Sequence, residues 1–399
     1  MTATNGHTAH TDTPAAYTDF AHTGPGTLAG RYLRRFWQPI YHSSDLAAGS
    51  TKPVQVMSER YTLYRGESGT PYLVDFRCAH RGTQLSTGWV EGDCLRCFYH
   101  GWKYDGSGQC VEQPAEDASF AAKVRIASYP TAEYLGLIFA YFGGAERGDT
   151  GAFRPPPLPR YPWLDEKTLL GVWTYTWPSN YFNNVDNGPD EVHVCFVHQD
   201  SPLGAIADVP LITAEETEYG LVQYGTRPNG VVRVTHWFMP NTLHFTTSFD
   251  DPGNPERLWS YGLSWRVPVD DEHHTSFMVY TSDASGEAAA RYLERQREAE
   301  ERVAALPPAA EVGEGILAGD VRREDIGDRP AHSRINVQDY VVQVGQGAIA
   351  DRTRERLGRS DSGVILLRRL WAREMQALAE GRPLKPWTRP VALHATTGL

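Results

Sequence analysis

Residues 50–145 consist of short runs in which apolar and polar positions alternate, and Gly, Pro, Asp and Ser separate the runs closely. Alternation with a period of two over a few residues is typical of strands that bury one face. The sequences of these runs are KPVQVMS, YTLYRG, PYLVDFR, VRIASYP and LGLIFAYFGG. This pattern predicts a small antiparallel all-β domain, and residues 26–40 before it predict a short amphipathic helix.

The second part of the chain combines longer strand-like runs with stretches of helical character. A multistranded antiparallel sheet is indicated by TLLGVWTYTW, LVQYGT, GVVRVTHWFMP, TLHFTTSFD, LWSYGLSWRVPV and HTSFMVYTS. Helices are expected in residues 180–198, in residues 286–306 and in two stretches after residue 336. Strands bracketed by helices in this way predict an α+β domain.

These patterns divide the chain into four predicted regions. Residues 1–24, which are rich in Thr, Ala, His and Gly, are expected to form a flexible tail. Residues 25–147 hold the helix and the all-β domain, and the Pro- and Gly-rich residues 148–163 form a connection. Residues 164–399 form the larger domain, an antiparallel sheet flanked by helices.

Charge and composition argue against several kinds of partner. The net charge is −11 and no basic cluster stands out, which argues against nucleic acid. The longest apolar run, residues 135–142, is far too short to span a membrane, and the N-terminus lacks a secretory signal. The 5 cysteines are an odd number and mostly clustered, which fits a metal site in a reducing compartment better than disulfides. We therefore expect a cytoplasmic protein with no membrane or nucleic-acid partner.

Two Cys/His pairs in the first domain form a candidate metal site, Cys78-x-His80 in RCAHRG and Cys97-x-x-His100 in CLRCFYHGW. A tetrahedral zinc ion could take Cys78, Cys94 and Cys97 together with one histidine. A 2Fe-2S cluster with two cysteines on one iron and two histidines on the other would take the matched pairs and leave Cys94 unused. Matched pairs from two loops favour the cluster.

A second candidate metal site lies in NYFNNVDNGPDEVHVCFVHQD, which contains Asp190-x-x-His193-x-x-x-x-His198. Two histidines beside a carboxylate could also be satisfied groups of the protein core. In a regular α-helix, residues five apart lie about 140° apart around the axis, so His193 and His198 could hardly share one ion. We therefore expect a π-type turn or a helix break between Val194 and His198.

The start of the helix that carries these histidines is predicted as well. Asp186 or Asn187 can cap it, Gly188 permits the turn, and Pro189 suits the first helical position. Asp190 then falls in the first turn, where the helix dipole favours negative charge.

The paired Cys/His pattern, with HRG after the first histidine and HGW after the second, resembles the Rieske ferredoxin domain. The segment from Asp190 to His198 resembles the mononuclear iron motif of the Rieske non-haem iron oxygenases. Residues 335–371 resemble the C-terminal helix region of the phthalate-dioxygenase-like branch of that family. The resemblance covers roughly residues 25–390.

This resemblance implies the metal ligands. It implies that a 2Fe-2S cluster is held by Cys78, His80, Cys97 and His100. It also implies a mononuclear Fe(II) held by His193, His198 and a distant carboxylate, for which we select Asp339 and keep Asp351 as the alternative. Two histidines and one carboxylate leave iron positions open for O2.

In the family, the aspartate that corresponds to Asp190 is not an iron ligand. The resemblance implies a catalytic role for Asp190, which would link His193 to His100 of a neighbouring subunit and give electrons a short path. Since the two centres of one chain are expected to lie too far apart for fast transfer, it also implies a head-to-tail ring, a homotrimer.

The implied activity is that of the terminal oxygenase in a multicomponent system. It would use O2 to hydroxylate, once or twice, or to dealkylate oxidatively an aromatic or related small organic substrate, as in aromatic hydrocarbon catabolism. GQGAIA in residues 345–350 is only a weak match to a dinucleotide motif, because no βαβ unit surrounds it. NAD(P)H and flavin are therefore expected only in a partner reductase, and a ferredoxin is the other possible electron donor.

Substrate contacts are predicted around the sheet of the larger domain. The candidates are Asn180, Asn187, His236, Asn241 and His244. For the three in residues 234–248, packing in the sheet core is an equal explanation, and Arg227 or Arg233 could pair with a substrate carboxylate. Two other functions stay open, an electron-transfer protein with a degenerate second metal site and a zinc hydrolase that uses the same triad.

Overall fold

The computed structural model describes residues 17–143, 154–165, 169–199, 208–251, 254–282 and 284–393. Within these ranges, no helix has both the length and the apolar character needed to cross a membrane. Residues 1–16 of the predicted tail and residues 148–153 of the predicted connection lie outside the described ranges.

The strands and helices of the described residues follow one another as an all-β part and a mixed part. The strands are β1 (Trp37–His42), β2 (Thr51–Val56), β3 (Glu59–Arg65), β4 (Pro71–Asp75), β5 (Trp89–Glu91), β6 (Cys94–Arg96), β7 (Lys103–Tyr104), β8 (Cys110–Glu112), β9 (Ser128–Tyr129), β10 (Thr131–Tyr134), β11 (Leu137–Tyr141), β12 (Leu169–Trp177), β13 (Leu211–Glu216), β14 (Gly220–Thr226), β15 (Val232–Phe238), β16 (Thr242–Asp251), β17 (Asn254–Pro268) and β18 (His274–Ser282). The helices are α1 (Leu28–Leu33), α2 (Ala118–Ala121), α3 (Pro162–Asp165), α4 (Tyr181–Asn187), α5 (Val192–Val197), α6 (Gly286–Ala304), α7 (Ala309–Ala318), α8 (Ala331–Val344) and α9 (Ser362–Ala379).

Strands β1 to β11 build the first domain from three small antiparallel sheets. Their strand orders are β1-β11-β10, β2-β3-β4-β9 and β5-β6-β7-β8. Aromatic and branched side chains such as Val74, Leu95 and Tyr104 are fully buried between the second and third sheets. The predicted small antiparallel all-β domain is confirmed.

Strands β12 to β18 form one seven-stranded antiparallel sheet in the order β12-β18-β17-β16-β15-β14-β13. Residues directly opposite on neighbouring strands share a face, so the pairs His236–His244 and His244–Leu263 define one face of this sheet. The same face carries Trp265, whose ring lies 5.6 Å from that of Phe139 in the first domain. We call it the domain-facing face.

The opposite face of the seven-stranded sheet lies under helices, and we call it the helix-covered face. Trp237 of this face packs so closely on Gly188, just after α4, that a Cβ on Gly188 would lie 2.4 Å from the Trp237 ring. On the same face the Trp173 ring lies 4.3 Å from the ring of His332 in α8. A sheet covered by helices on one side confirms the predicted α+β class.

Helix α9 holds one edge of this sheet. Its large buried apolar residues follow the helical spacing that places them on one stripe, and they are Val364, Leu367, Leu370, Trp371, Met375 and Leu378. The Trp371 indole N–H donates to the Pro240 carbonyl at 3.0 Å, so even its polar atom is satisfied in the core. Helix α9 thereby ties the C-terminal segment to strands β13 and β14.

The N-terminal predictions were wrong in two respects. Helix α1 has 6 residues, and the rest of the predicted helix contains strand β1, because pairing with β11 overrides the local helical pattern. The predicted tail also extends too far. Phe20 stacks on Phe182 at 4.6 Å, and the Thr23 N–H donates to the Asp271 carboxylate at 2.9 Å, so both residues belong to the folded core.

A buried histidine in the sheet makes stability depend on pH. His244 bonds through Nδ1 to the Gly262 carbonyl at 2.8 Å, and burial lowers its pKa to about 3. Histidine in an unfolded chain has a pKa of about 6.5. Below that pH the unfolded chain binds a proton that the folded state does not, so the free energy of unfolding falls as the pH falls.

Replacing His244 with Asn, whose amide can keep the bond to Gly262, should flatten this dependence between about pH 6 and pH 4. One proton changes the slope of unfolding free energy against pH by about 1.4 kcal/mol per pH unit. Anaerobic urea unfolding followed by tryptophan fluorescence measures both slopes. Equal slopes in the variant and the native protein would contradict a neutral buried ring.

Candidate metal centres

Two loops of the first domain have the same backbone design. Cys78 and Cys97 begin the loops, and each donates its N–H at 2.8 Å to the carbonyl five residues later. Gly82 and Gly101, four residues after each cysteine, donate back to the cysteine carbonyl and have φ of 73°, a left-handed value that favours glycine. Each loop therefore bends tightly around its cysteine.

The two loops bring both Cys/His pairs to one place. The thiols of Cys78 and Cys97 are buried and interact with each other, and burial raises the pKa of Cys78. The rings of His80 and His100 lie 4.4 Å apart. Trp102 stacks on His80 at 4.4 Å and nearly parallel, while His100 is exposed at the loop tip.

The donor atoms of these loops fit a 2Fe-2S cluster. His80 Nδ1 is buried and has no hydrogen-bond partner, so its lone pair is free to bind a metal. Two sulfur and two imidazole donors from two loops match the Rieske ligand set. Cys94 pairs with Glu91 between strands β5 and β6. Burial raises the pKa of the Cys94 thiol, and the charged groups that interact with this thiol electrostatically are Lys103 and nearby carboxylates.

Tyr104 is a functional candidate that the sequence pattern did not indicate. Its hydroxyl lies 3.2 Å from Cys78 Sγ and accepts the Ala79 N–H at 3.2 Å. A hydroxyl that accepts the Ala79 N–H can still donate its own proton, and a deprotonated Cys78 sulfur, as in a metal-bound cysteine, is an acceptor for it. Nothing in the spacing of the cysteines and histidines distinguishes Tyr104 from other strand tyrosines, so only the fold reveals this contact.

The second centre joins residues that are far apart in the chain. His193 and His198 come from the segment of α5, and Asp339 comes from the middle of α8. Ligand atoms of these three side chains all lie within 4.8 Å of one another. Asp351, the alternative carboxylate, is exposed and accepts the Thr353 N–H at 3.1 Å, outside this group.

Hydrogen bonds orient both histidines toward a common point. His193 Nδ1 bonds to the Asp190 carbonyl, and His198 Nδ1 bonds to Gln338 Oε1 at 2.9 Å. A ring that donates from Nδ1 presents the lone pair of Nε2. His198 Nε2 faces Asp339 Oδ1 at 3.2 Å, so two acceptor atoms oppose each other.

A cation between these acceptors fits the site. Burial lowers the pKa of His198, but the Asp339 carboxylate and the hydrogen bond to Gln338 raise it, and the net shift is upward. Two imidazoles and one carboxylate are the ligand set of a non-haem Fe(II) centre. Gln338 was missed by sequence reasoning, because its role depends on a contact between α5 and α8.

The expected irregularity between the two histidines is a helix end. Helix α5 stops at Val197, and His198 takes φ −104° and ψ 21°, outside the helical range. This turns the His198 ring back toward His193, and the two ring centroids lie 5.4 Å apart. The break resolves the angular problem without a π-type turn.

The predicted start of this helical region was wrong. Helix α4 begins after Asn180, whose side chain accepts the Phe182 N–H, and a second helix, α5, begins at Val192. Pro189 lies between the two helices rather than at a first helical position. The Asp190 carboxylate accepts the N–H groups of Val192 and His193 at 3.2 and 3.3 Å, so it acts as a side-chain cap for α5.

Four of the five predicted substrate contacts have structural partners instead. Asn180 caps α4 and donates to the Ala21 carbonyl at 2.9 Å, and Asn241 donates to Gln38 at 2.9 Å. His236 and His244 point to the domain-facing face, away from the helices that carry the second centre. Successive residues of a strand point to opposite faces of the sheet, and the sequence could not show which of the two faces meets the helices.

Asn187 is the predicted contact that lies beside the second centre. Its amide nitrogen is 3.4 Å from His193 Nε2, the atom that faces the ligand group. Arg227 and Arg233 have a different task, since both bind the buried Glu191 carboxylate, at 2.7 and 3.0 Å. This ion cluster fixes the segment just before α5 to strand β15 and to the turn that follows β14.

Comparison with known proteins supports the two-domain description. A family model described as a Rieske [2Fe-2S] domain matches residues 36–130. The 5,5'-dehydrodivanillate O-demethylase oxygenase subunit of Sphingobium sp. (strain NBRC 103272 / SYK-6) is 30% identical over 94% of this chain and 83% of its own length. The phthalate 4,5-dioxygenase oxygenase subunit of Pseudomonas putida is 25% identical over 88% and 83%.

A solved structure shows the same fold. It is the reduced complex between oxygenase and ferredoxin in carbazole 1,9a-dioxygenase, with a TM-score of 0.62 and 20% identity over 92% of this chain and 95% of that chain.

Replacing Tyr104 with Phe should lower the reduction potential of the 2Fe-2S cluster, because a hydrogen bond to a ligand sulfur stabilises the more negative reduced state. One hydrogen bond has a net value of about 1 kcal/mol, which corresponds to about 40 mV for one electron. A redox titration followed by the visible spectrum measures the change. Tyr64→Phe is the control, since the Tyr64 hydroxyl donates to the Asp93 carbonyl and not to a sulfur; equal potentials in all three proteins would refute the assignment.

Proposed function

Since the chain belongs to the Rieske-type oxygenase alpha subunits, we propose that it uses O2 and partner-supplied electrons to oxidise an aromatic or related small organic substrate at a mononuclear iron. The observation that carries this proposal is the meeting of His193, His198 and Asp339. Hydroxylation and oxidative dealkylation both remain within the proposal, as relatives include an O-demethylase and a dioxygenase.

In this proposal His193, His198 and Asp339 hold Fe(II), which when bound supplies the activation of O2 beside the substrate. The chain's own residues prepare the ligands. The Asp190 carbonyl and the Gln338 amide oxygen accept hydrogen bonds from the Nδ1–H groups of the two histidines, which leaves the lone pairs of both Nε2 atoms for the metal. The Asp339 carboxylate, half-buried in the site, balances part of the metal charge.

Electron entry is proposed through the first domain. His100 lies exposed at the tip of its loop, beside Phe98 and Tyr99, which are 70% and 53% exposed. Near the second centre, Phe196 of α5 is 59% exposed. Apolar surface beside both centres supports a head-to-tail homotrimer, in which the loop tip of one subunit meets the α5 region of the next.

Asp190 is the proposed link across that interface. Its carboxylate is one-third exposed and its Oδ2 lies 3.7 Å from His193 Nδ1, so it can also reach a group from outside the chain. An imidazole N–H of His100 from the next subunit is the proposed partner, and the carboxylate would then join the two centres by hydrogen bonds.

The proposed electron donor is a flavin-dependent NAD(P)H reductase, a ferredoxin or both. A ferredoxin is supported by the solved oxygenase–ferredoxin complex of carbazole 1,9a-dioxygenase. Residues 345–350 follow directly on helix α8 rather than on a strand, so the GQGAIA sequence is not in the context of a dinucleotide-binding unit.

Iron analysis tests the second centre. The purified protein should hold about three irons per chain, two in the cluster and one in the mononuclear site. Asp339→Ala should reduce this to about two and abolish substrate-dependent O2 uptake, while the visible and EPR spectra of the cluster stay unchanged. The matched control is Asp351→Ala, which should keep all three irons; loss of the third iron there instead would identify Asp351 as the ligand.

The role of Asp190 is tested with two substitutions. Asp190→Ala should leave both metals bound and nearly abolish turnover. Asp190→Asn keeps an acceptor for the Val192 and His193 N–H groups but removes the negative charge. If the carboxylate links the centres, reoxidation of the reduced cluster should be slow in both variants. Normal rates in Asp190→Asn would mean that Asp190 only caps α5.

A further inference from the structure

Arg266 of strand β17 is a buried cation without a counter-charge. Its side chain is buried, with the residue 5% exposed, and its Nε–H donates to Asn184 Oδ1. Nη1 is buried without any hydrogen-bond partner. Among the described residues, no carboxylate forms an ion pair with Arg266. A buried charge that is neither paired nor fully hydrogen-bonded is costly, so its presence requires an explanation.

The other buried arginines among the described residues have partners for their terminal nitrogens, although Nε of Arg227 and of Arg329 is also without an acceptor. Four have a carboxylate partner, at 2.7 to 3.0 Å, and they are Arg34 with Glu59, Arg65 with Glu133, and Arg227 and Arg233 with Glu191. Arg329 has no carboxylate, but both of its terminal nitrogens donate, to the Ser333 hydroxyl and the Pro307 carbonyl. Arg266 differs because its terminal Nη1 is left without an acceptor.

A chain of neutral groups holds the Arg266 side chain in place. His274 donates from Nδ1 to the Ser179 carbonyl at 2.7 Å, and its Nε2 accepts from the Asn184 amide at 3.0 Å. This arrangement turns Asn184 Oδ1 toward Arg266. Burial lowers the pKa of His274 to about 4, so the ring is neutral at pH 7 and contributes no charge. The network fixes the guanidinium by its Nε side and leaves Nη1 without an acceptor.

Ser264 adds a second unsatisfied polar atom on the same face of the sheet. Strand alternation places Ser264 and Arg266, two residues apart in β17, on the helix-covered face. Ser264 is fully buried, and its hydroxyl has no hydrogen-bond partner. A guanidinium and a hydroxyl on one face of a strand, each with an unsatisfied atom, are groups that can bind a carboxylate.

This pair lies near the proposed iron site. Asn184, which bonds to Arg266, and Asn187, whose amide is 3.4 Å from His193 Nε2, are three residues apart in α4. Three residues share a helix face and advance roughly 4.5 Å along the axis. The guanidinium and the ligand-facing nitrogen of His193 are therefore about one helical turn apart along α4, a span that fits a single aromatic ring.

Apolar side chains share the helix-covered face with Arg266 and Ser264. Met278 is paired with Ser264, Phe245 and Tyr280 are paired with Gly262, and all three side chains are half-buried. The rings of Phe245 and Tyr280 are 5.8 Å apart and edge-to-face. Such a surface suits the flat body of an aromatic ligand.

We propose that Arg266 and Ser264 bind the carboxylate of an aromatic acid and so present the far side of its ring to the iron. This inference rests on the proposed function, since it names the substrate class of the same site. It transfers the carboxylate-binding role that the sequence suggested for Arg227 and Arg233 to a residue that sequence reasoning missed.

Arg266→Gln is a well-matched test, because the Gln side-chain nitrogen occupies the position of Arg Nε and can keep the bond to Asn184. Calorimetric titration of the anaerobic holoenzyme with benzoate, benzamide, 4-methoxybenzoate and 4-methoxybenzamide gives an affinity ratio of acid to amide for each pair. The native protein should prefer the acid by about tenfold or more, as expected for a charge-assisted hydrogen bond. The ratio should fall to near one in Arg266→Gln, and by a smaller factor in Ser264→Ala.

The control Arg369→Gln makes the same change of charge on the exposed side of α9 and should keep the native ratio. A second measurement uses the ligand-free melting temperature. Removal of an unpaired buried charge should leave it equal or higher in Arg266→Gln. A clear fall in melting temperature together with an unchanged affinity ratio would show that Arg266 is structural, and an absent preference for acids in the native protein would also overturn the proposal.

The proposed function and this inference can be refuted independently of each other. Calorimetry does not need turnover, so a preference for acids can be measured even in an enzyme that oxidises nothing. If the enzyme oxidises the amides and not the acids, the oxygenase function stands and the role of Arg266 is refuted. If both metals are bound and acids bind through Arg266 but O2 uptake never couples to product, the binding inference stands and the oxygenase proposal is wrong.

Discussion

The metal-binding site of the second domain depends on two electron-rich atoms that face each other. His198 Nε2 and Asp339 Oδ1 face each other at 3.2 Å, while the His198 proton is used at Nδ1 by Gln338. Lone pairs that oppose each other in a partly buried site are unfavourable without positive charge between them. The break at the end of α5 and the placement of α8 over the sheet both serve this one arrangement.

The sheet separates structural from chemical side chains by its two faces. The domain-facing face carries His236, His244 and Trp265, and the last two pack with aromatic rings of the connection and the first domain. The helix-covered face carries the side chains that meet α4, α5 and α8. A shift of one residue along a strand would exchange these two sets. The tight packing of Trp237 on Gly188 is one of the contacts that exclude such a shift.

Charge is distributed unevenly on the helix-covered face. Glu191 binds two arginines and fixes the start of the metal-binding segment, so this cluster is a support. Arg266 is instead held by neutral groups and keeps part of its guanidinium unsatisfied. Binding sites are often less well satisfied than the surrounding core, because the missing partner is the ligand.

How much the sequence determines differs between the two centres. The cluster loops are local: a cysteine, a histidine two or three residues later and a glycine at the tight turn lie within six residues, so their spacing indicated a metal site and the resemblance to the Rieske domain implied the cluster. For His193 and His198 the spacing left satisfied core histidines as an alternative. The resemblance assigned them to iron, and binding of one ion by residues five apart required an irregularity in the helix. By contrast, the contact of Gln338 with His198, the faces of His236 and His244, and the lack of a counter-charge for Arg266 arise between segments far apart in the chain. Local spacing carries no information on which distant group arrives, or fails to arrive, at a side chain, and only the tertiary structure decides that.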